Sequence, residues 1–433
     1  MTIEDIKNKG IVGAGGAGFP THVKLNSRPD TLIMNAAECE PLLHKDLELL
    51  RHRQDDILRG MRLAMQITGA KQGIIGIKEK HSAVVARLRE AVGDGIRLQT
   101  VGDFYPSGDE VLLVYLTTRR IIQPGQLPLS VGCVVQNVET LLNLASDHPV
   151  TEKYISVAGA VAIPATIRVP IGISFADILS RFEITVKNFV LRTGGLMMGE
   201  LVTDLKRTVT KRTGALIVLP ADHHCVSMYQ RYATPQMTDK TAKSSCDQCS
   251  YCTEFCPRYL IGHPVRPETA MRNRMFTRES SPFLDPGSAF CCECNLCTMY
   301  ACPESLDPKG ATVIEKRMLQ QQKAQWEGLP VSPHPMMDFR KVPSKKLMQR
   351  LDVLMFKDEG PLQEFSYQPE QLVVYMQQHA GKPAIPVVEK GSQVQKNQII
   401  AAAEGEISVP VHAPMSGYID RVTKNEIIIQ RRS

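Results

Sequence analysis

Residues 246–257 read CDQCSYCTEFCP, and residues 291–303 read CCECNLCTMYACP. In each run three cysteines stand three apart and a fourth precedes a proline. They are Cys246, Cys249, Cys252 and Cys256 before Pro257, then Cys291, Cys294, Cys297 and Cys302 before Pro303. Three thiolates at this spacing, on a loop that turns around a cubane, reach three irons of one cluster. The fourth cysteine lies too far along to join them and completes the other set. One 4Fe–4S cluster is therefore expected on Cys246, Cys249, Cys252 and Cys302, and a second on Cys291, Cys294, Cys297 and Cys256. The second run holds one extra residue before its last cysteine, which leaves the exchange of fourth ligands open. A zinc site would use separated pairs rather than triplets closed by Cys-Pro.

Between the runs lie Arg266, Arg272, Arg274 and Arg278. Positive charge beside a cluster would raise its potential, while the same residues also suit a solvated helix face. Cys292 is a spare beside a ligand. Cys39, Cys133 and Cys225 are isolated and expected as small buried hydrophobes. The His223-His224-Cys225 run has no second pair to complete a metal site.

Beyond this region the composition is that of an ordinary globular chain of several domains, with 43% apolar and 22% charged residues in 433. Twelve cysteines without a secretory leader indicate metal or redox chemistry rather than a disulfide framework. No apolar run approaches the roughly 18 residues needed to cross a bilayer. No membrane span is expected, and the protein is placed in the cytoplasm or in a compartment within it. The formal charge of +6 falls once cluster thiolates are counted, and the basic residues are scattered, so no nucleic-acid partner is expected.

A second pattern opens the chain. Residues 13–20 read GAGGAGFP. Gly13, Gly15 and Gly18 satisfy G-x-G-x-x-G, but the stretch follows a short helix-like segment, Ile3–Lys9, and not a strand. An ordinary dinucleotide fingerprint is thus a poor match. What remains is a run nearly free of β-carbons, whose N–H groups can close on a phosphate or a ring. Strand-like Thr31–Asn35 and Gly73–Ile77 alternate with helix-like Asp46–Ile67 and His81–Val92, which predicts an α/β layer with binding loops at strand ends. Tyr105-Pro106-Ser107-Gly108-Asp109-Glu110 and Gln136-Asn137-Val138-Glu139-Thr140 each open a further helix.

Together the glycine loop, the Asn35–Pro41 turn and these last two turns resemble the NADH-binding flavoprotein subunit of respiratory complex I and the C subunit of the Rnf complex. That resemblance implies FMN contacts at Gly13, Ala14, Gly15, Lys24, Asn35, Ala37, Glu38, Gly108, Gln136, Asn137 and Thr140. It implies NADH stacking near Phe19 and approaching Glu40 and Glu110, the two residues it marks as catalytic. Residues 151–235 are similar to the soluble-ligand-binding (SLBB) β-grasp module of the same family. The run Pro410–Gly417 resembles a barrel-sandwich hybrid of the lipoyl type, without a lipoyl-attachment hairpin.

The expected fold is multidomain α/β. A Rossmann-like FMN/NADH domain spans 1–150 and the β-grasp module 151–235. An α-helical two-cluster ferredoxin-like domain spans 236–325, a Pro-rich linker 326–370, and an all-β barrel-sandwich hybrid 371–433. The order of these modules resembles the cobalamin reductases of propanediol-utilisation microcompartments. The resemblance implies an NADH-dependent enzyme passing electrons through FMN and two 4Fe–4S clusters to cobalamin, for reactivation of a diol dehydratase. The partners it implies are a cobalamin adenosyltransferase and a microcompartment shell protein. Two other readings stay open: an Rnf-type electron-input subunit of a membrane complex, and a two-cluster relay without flavin.

Overall fold

Thr31–Ala36 is apolar on both faces, and a strand of that kind is stable only at the centre of a covered parallel sheet. It lies between Gln72–Lys78 and Cys133–Asn137, with Ile96–Val101 beyond Gln72–Lys78, and all four strands run parallel. The structure, a computed structural model, describes residues 1–232, 234–276, 284–322 and 326–432; Arg278 lies outside them. The register sets Asn35 opposite Asn137 at the carboxyl ends of neighbouring strands. Both loops that leave there therefore open on one edge of the sheet, where ligands of open α/β sheets bind.

The long helix expected over Asp46–Ile67 is two helices, Lys45–His52 and Gln54–Thr68. The break falls at Arg53, whose backbone leaves the helical region while its guanidinium pairs with Asp56 at 2.7 Å. Gln54–Thr68 packs against Val138–Ala145 through Gly60. A methyl group there would stand 1.9 Å from the Leu141 carbonyl oxygen, so only glycine allows the approach.

A second, mixed sheet orders Leu362–Gln363, Ala165–Pro170, Glu152–Gly159, Ala215–Pro220, Phe189–Thr193 and Glu200–Val202. The helices Pro235–Ser245, Pro267–Phe276 and Pro308–Gln321 surround the first cysteine run. Two small antiparallel sheets close the chain. One holds Gln371–Tyr375, Glu426–Gln430, Gly417–Val422 and Gln393–Val394; the other holds Ile385–Pro386, Ile399–Ala402 and Val411–His412. Their shared core contains Val374, Ile400, Val411, Ile419 and Ile427.

Residues 326–370, expected as a linker, instead stitch the modules together. Val342 pairs with Tyr105 and Pro343 with Phe104, while Leu362–Gln363 adds a strand to the second sheet. Leu347, Leu351 and Val353 are fully buried in the core that holds Tyr105 and Leu296. The prolines suggested a spacer, but apolar residues at helical spacing after Pro343 carry the packing.

The C-terminal module docks on the N-terminal glycine loop. Ala380 N–H donates to Gly18 O at 3.0 Å, and Arg212 Nε donates to Gly16 O at 2.9 Å. Beneath them Lys211, buried, donates through Nζ to Gly10 O at 2.6 Å and Pro410 O at 3.4 Å, with His379 and His412 nearby. Burial alone pulls this ammonium from 10.5 down to about 7. The unfolded chain thus binds more protons than the folded one between about 7 and 10.5, so stability should rise with pH across that window. Melting temperatures at pH 7 and pH 9 should differ in that sense for the native chain. Lys211→Met should flatten the difference; an unchanged slope would show that Lys211 does not set it.

Candidate functional site

The glycine loop folds back on itself. Gly13 N–H donates to Phe19 O and Gly18 N–H to Gly13 O, and Gly16 and Gly18 take positive φ. Ala14 N–H donates to Thr140 Oγ1 at 2.9 Å, which fixes the loop over the helix that follows Asn137. A Cβ on Gly15 would meet Asn137 at 3.6 Å, and one on Gly16 would meet nothing within 4 Å. Asn35 Nδ2 donates to Gly108 O at 2.9 Å, and its Oδ1 accepts from Ala37 N–H at 3.1 Å. Gly108 lies so close to Ala37 that a β-carbon would stand 2.6 Å from the Ala37 oxygen. The structure thus brings Gly13, Ala14, Gly15, Asn137 and Thr140 together on one side, and Asn35, Ala37 and Gly108 on the other.

Beneath these turns is a buried ionic network. Glu139, 1% exposed, accepts from Lys45 Nζ at 2.8 Å, from Lys153 Nζ, and from Tyr154 N–H at 3.1 Å. Lys153 also donates to Ala14 O at 3.2 Å, and Lys45 pairs with Asp46 at 2.9 Å. Asp46 in turn accepts from Asn137 Nδ2 at 2.6 Å. Burial would raise the Glu139 carboxyl, but the two ammonium groups win and hold it below its usual range. Glu38, which accepts from Asp46 N–H, is pushed up to about 8 by burial and then by the Asp46 carboxylate.

The two acidic residues expected near NADH have different partners. Glu110, at the start of its helix, pairs with Lys24 at 2.5 Å, and both are partly exposed. Glu40 instead accepts from Met197 N–H and Met198 N–H, both at 2.8 Å, in the turn after Gly194-Gly195. A β-carbon on Gly195 would stand 2.5 Å from its carboxyl carbon. Phe19 is 37% exposed beside the loop. The Met197–Met198 turn carries no sequence signal beyond its glycines.

The structure also bears on a flavin. Gln136, 3% exposed, has its Nε2 without a hydrogen-bond partner, and Ser107, fully buried beside Gly108, has an unpartnered Oγ. Buried polar groups are rarely left so. A glycine cradle with an orphaned amide donor and hydroxyl fits a polar, phosphate-bearing ring system such as FMN.

The two cysteine runs wrap alike. The residues flanking each middle cysteine, Gln248 and Ser250 in one and Glu293 and Asn295 in the other, all take positive φ between 58° and 67°. The extra residue of the second run is absorbed by one π-turn, Cys297–Ala301, closed by Cys302 N–H on Cys297 O at 3.1 Å. Among the described residues no three of His, Cys, Asp or Glu close on a single-ion position. The thiols act on one another: Cys302, Cys249 and Cys246 bear on Cys252, Cys256 and Cys297 on Cys294, and Cys291, Cys252 and Cys256 on Cys297, so the two runs meet through Cys252 and Cys297. Burial first pushes the Cys252 and Cys297 thiols far up; the Glu268 carboxylate comes next at Cys252, and neighbouring thiols add to both. Thiolates so placed need a strongly cationic centre, which an iron–sulfur core supplies. Amide donors already point at the sulfurs: Glu293 N–H to Cys291 and Leu306 N–H to Cys302, each at 3.3 Å.

Of the arginines considered from sequence, Arg266 and Arg272 are exposed and Arg274 pairs with Asp239 at 2.5 Å. Arg258, directly after Cys256-Pro257, bears on the Cys292 and Cys294 sulfurs, and Arg350 Nη2 donates to Cys302 O at 3.2 Å; sequence reasoning passed over both. Cys133 and Cys225 are fully buried, and His223 caps the helix His224–Arg231.

Comparison with known proteins matches residues 6–146 to the Nuo51 FMN-binding domain, 245–307 to a 4Fe-4S dicluster domain, and 357–432 to the RnfC barrel sandwich hybrid domain. The chain therefore carries an FMN-binding domain and a 4Fe–4S domain. Over 435 aligned residues it is 39% identical to cobalamin reductase PduS of Citrobacter freundii, covering 99% of this chain and 96% of that protein. It is 32% identical to the C subunit of the Na(+)-translocating ferredoxin:NAD(+) oxidoreductase complex of Acetobacterium woodii, covering 65% and 62%. Among solved structures, an NAD+-reducing [NiFe]-hydrogenase in the H2-reduced state shares the fold at 19% identity and a TM-score of 0.50, covering 76% of this chain and 63% of that one. No helix among the described residues is long and apolar enough to cross a membrane.

Glu139→Gln should cost about 3–5 kcal/mol of stability, because it leaves two buried ammonium groups with one carboxylate fewer. Denaturant unfolding of the purified protein measures this. A change under about 1 kcal/mol would mean that the network is already solvated.

Proposed function

The chain belongs to the family of the cobalamin reductase PduS, and from that premise we propose that it passes electrons from NADH to cobalamin through FMN and two 4Fe–4S clusters. The product, reduced cobalamin, would serve adenosylation and so the reactivation of a cobalamin-dependent diol dehydratase. On this reading residues 1–150 are a Rossmann-like FMN/NADH domain and 151–235 an SLBB-type β-grasp. Residues 236–325 hold the two clusters and 371–433 form a barrel-sandwich hybrid. The protein works inside the cytoplasm, in a microcompartment, alongside an adenosyltransferase and a shell protein.

The observation that carries the reading is a direct bridge between the flavin-side turns and the second cysteine loop. Tyr105, fully buried, donates from its hydroxyl to Cys294 O at 2.7 Å. Asn295 Nδ2 donates to Met197 O at 3.1 Å, next to the amides that hold Glu40. When bound, FMN exchanges a two-electron hydride donor for one-electron carriers, and the clusters carry those electrons onward. The chain's own part is positioning. The Gly13–Gly18 loop receives the phosphate end, and Gln136 and Ser107 offer their free polar atoms to the ring. Lys24, held by Glu110, presents a cation beside the loop, and Phe19 gives the nicotinamide a face. Glu40 acts through the Met197–Met198 turn and keeps that turn against the cysteine loop. No residue need act as general acid or base.

A second reading, an electron-input subunit of an ion-translocating membrane complex, draws on the RnfC match at 357–432. It expects co-purification with membrane partners and no activity on cobalamin alone.

Protein prepared anaerobically should hold about one FMN and about eight irons per chain and reduce cobalamin with NADH. Gln136→Leu should lower acid-released flavin and this activity at least tenfold while the iron–sulfur absorbance persists. Full flavin retention in the variant would remove Gln136 from the site. Lack of NADH-driven cobalamin reduction by fully loaded protein would defeat the proposal.

A further inference from the structure

We propose that the cavity where the FMN-binding domain, the second sheet and the barrel-sandwich module meet is a binding site for a diphosphate-bearing nucleotide. It stands apart from the electron-transfer function proposed above. None of the residues expected around FMN or NADH lines it, and no cysteine does.

The cavity holds about 450 Å³, within the roughly 300–1,000 Å³ of small-molecule sites, which favour the seams between domains. All three modules supply charge. Arg53, Asp56 and Arg59 come from the turn and helix at 53–68, Glu152 and Arg168 from neighbouring strands of the second sheet, and Lys396 from the barrel-sandwich module. Four cations against two carboxylates leave a net charge of +2, with His148 neutral.

Each carboxylate is shared by two cations. Asp56 lies between Arg53 at 2.7 Å and Arg59 at 2.9 Å, and Glu152 between Arg168 at 2.5 Å and Lys396 at 3.2 Å. Donors therefore outnumber acceptors. Arg59 commits only Nη2, to Asp56 and to Ala145 O at 3.0 Å, and Arg168 commits only Nη2. Among the described residues, Nε and Nη1 of both lack a hydrogen-bond partner. These two side chains are 59% and 53% exposed, so an anion from solvent can reach them. Guanidinium forks match phosphate oxygens in geometry as well as charge.

Tyr154 stands between the two charge groups. Its hydroxyl accepts from Arg53 Nη1 at 3.4 Å, and Arg168 lies over its ring at 5.8 Å. Two cation pairs set apart by a ring fit two linked phosphates rather than one. Phosphates alone would leave most of the volume empty. Asn143, Ser146 and Asn397 line the remainder and offer polar atoms to a sugar and base. An adjoining cavity shares Arg59 and Asn397 but brings in Asp5 and Asp147, which repel a polyanion and confine it to the first. An occupant touches all three modules at once and so braces their junction.

The test is equilibrium binding of ADP to the full-length, cofactor-loaded protein by titration calorimetry. ADP should bind and raise the melting temperature, inorganic pyrophosphate should compete, and adenosine should not bind. Arg59→Gln with Arg168→Gln should weaken ADP binding at least tenfold while flavin and iron contents and flavin reduction by NADH stay native. Glu152→Gln, which releases Arg168 and Lys396, should tighten it severalfold. The proposal is overturned if the double variant binds ADP as the native protein does, if adenosine binds as well as ADP, or if ADP fails to bind up to about 1 mM. Binding of pyrophosphate without ADP would also overturn it, since the cavity would then hold a simple anion only.

Discussion

Glu139 holds three parts of this molecule in register. A carboxylate buried to 1% exposure costs several kcal/mol in desolvation, and only closely matched donors offset it. Here three donors come from two elements: Lys45 from the helix after the Glu38–Glu40 turn, Lys153 Nζ and Tyr154 N–H from the strand Glu152–Gly159. Because Lys153 also reaches Ala14 O, the glycine loop is tied to the same carboxylate. The loop has few side chains with which to hold itself. Its shape is imposed from below by a charge network, and from above by Arg212 and Ala380.

The cysteine runs show a different constraint, one of backbone geometry. Each cysteine loop reverses its curvature on both sides of its middle cysteine. Non-glycine residues at positive φ cost free energy, of order 1 kcal/mol each, and persist only where the surroundings demand them. Four such residues at equivalent places in two loops mark a shared template. The π-turn at Cys297–Ala301 follows the same logic, since it stores one surplus residue and leaves the following Cys-Pro step in equivalent position. Evenly matched loops would have been hard to foresee from runs of unequal length.

What could be read in the sequence was what chemistry dictates locally. Cysteine spacing and the glycine run constrain a few consecutive residues, and both name their ligand classes without a fold. An α/β layer was readable too, from the apolar runs at 31–35 and 73–77 alternating with helix-like segments, though the parallel order of its four strands was not. The rest depends on contacts between distant segments. Nothing near Glu40 tells that its carboxylate meets Met197 and Met198, 157 and 158 residues on. Arg258 looked like any basic residue after Cys-Pro until Asp109 arrived beside it from a different domain. The prolines of 326–370 suggested a spacer, and only the burial of Leu347, Leu351 and Val353 shows a structural strap.

The same contacts explain how the barrel-sandwich module can stand at this end of the chain. In this structure its residues 378–382 and 410–412 lie against Gly10, Gly18 and Lys211. His22 likewise meets the Glu406 carbonyl at 3.1 Å. The docking place is thus the start of the flavin domain itself. A module that belongs beside residues 10–22 can be joined to the chain before them, or reach them from the far end by way of the strap at 326–370. Either route leaves the glycine loop covered by the same surface, so the position in space is retained while the order along the chain changes. Connection order is cheap to alter because loop closure grows only slowly in cost with length. The buried Lys211 contact is not, because it takes one backbone oxygen from Gly10, just before the glycine loop, and one from Pro410 in the barrel-sandwich module.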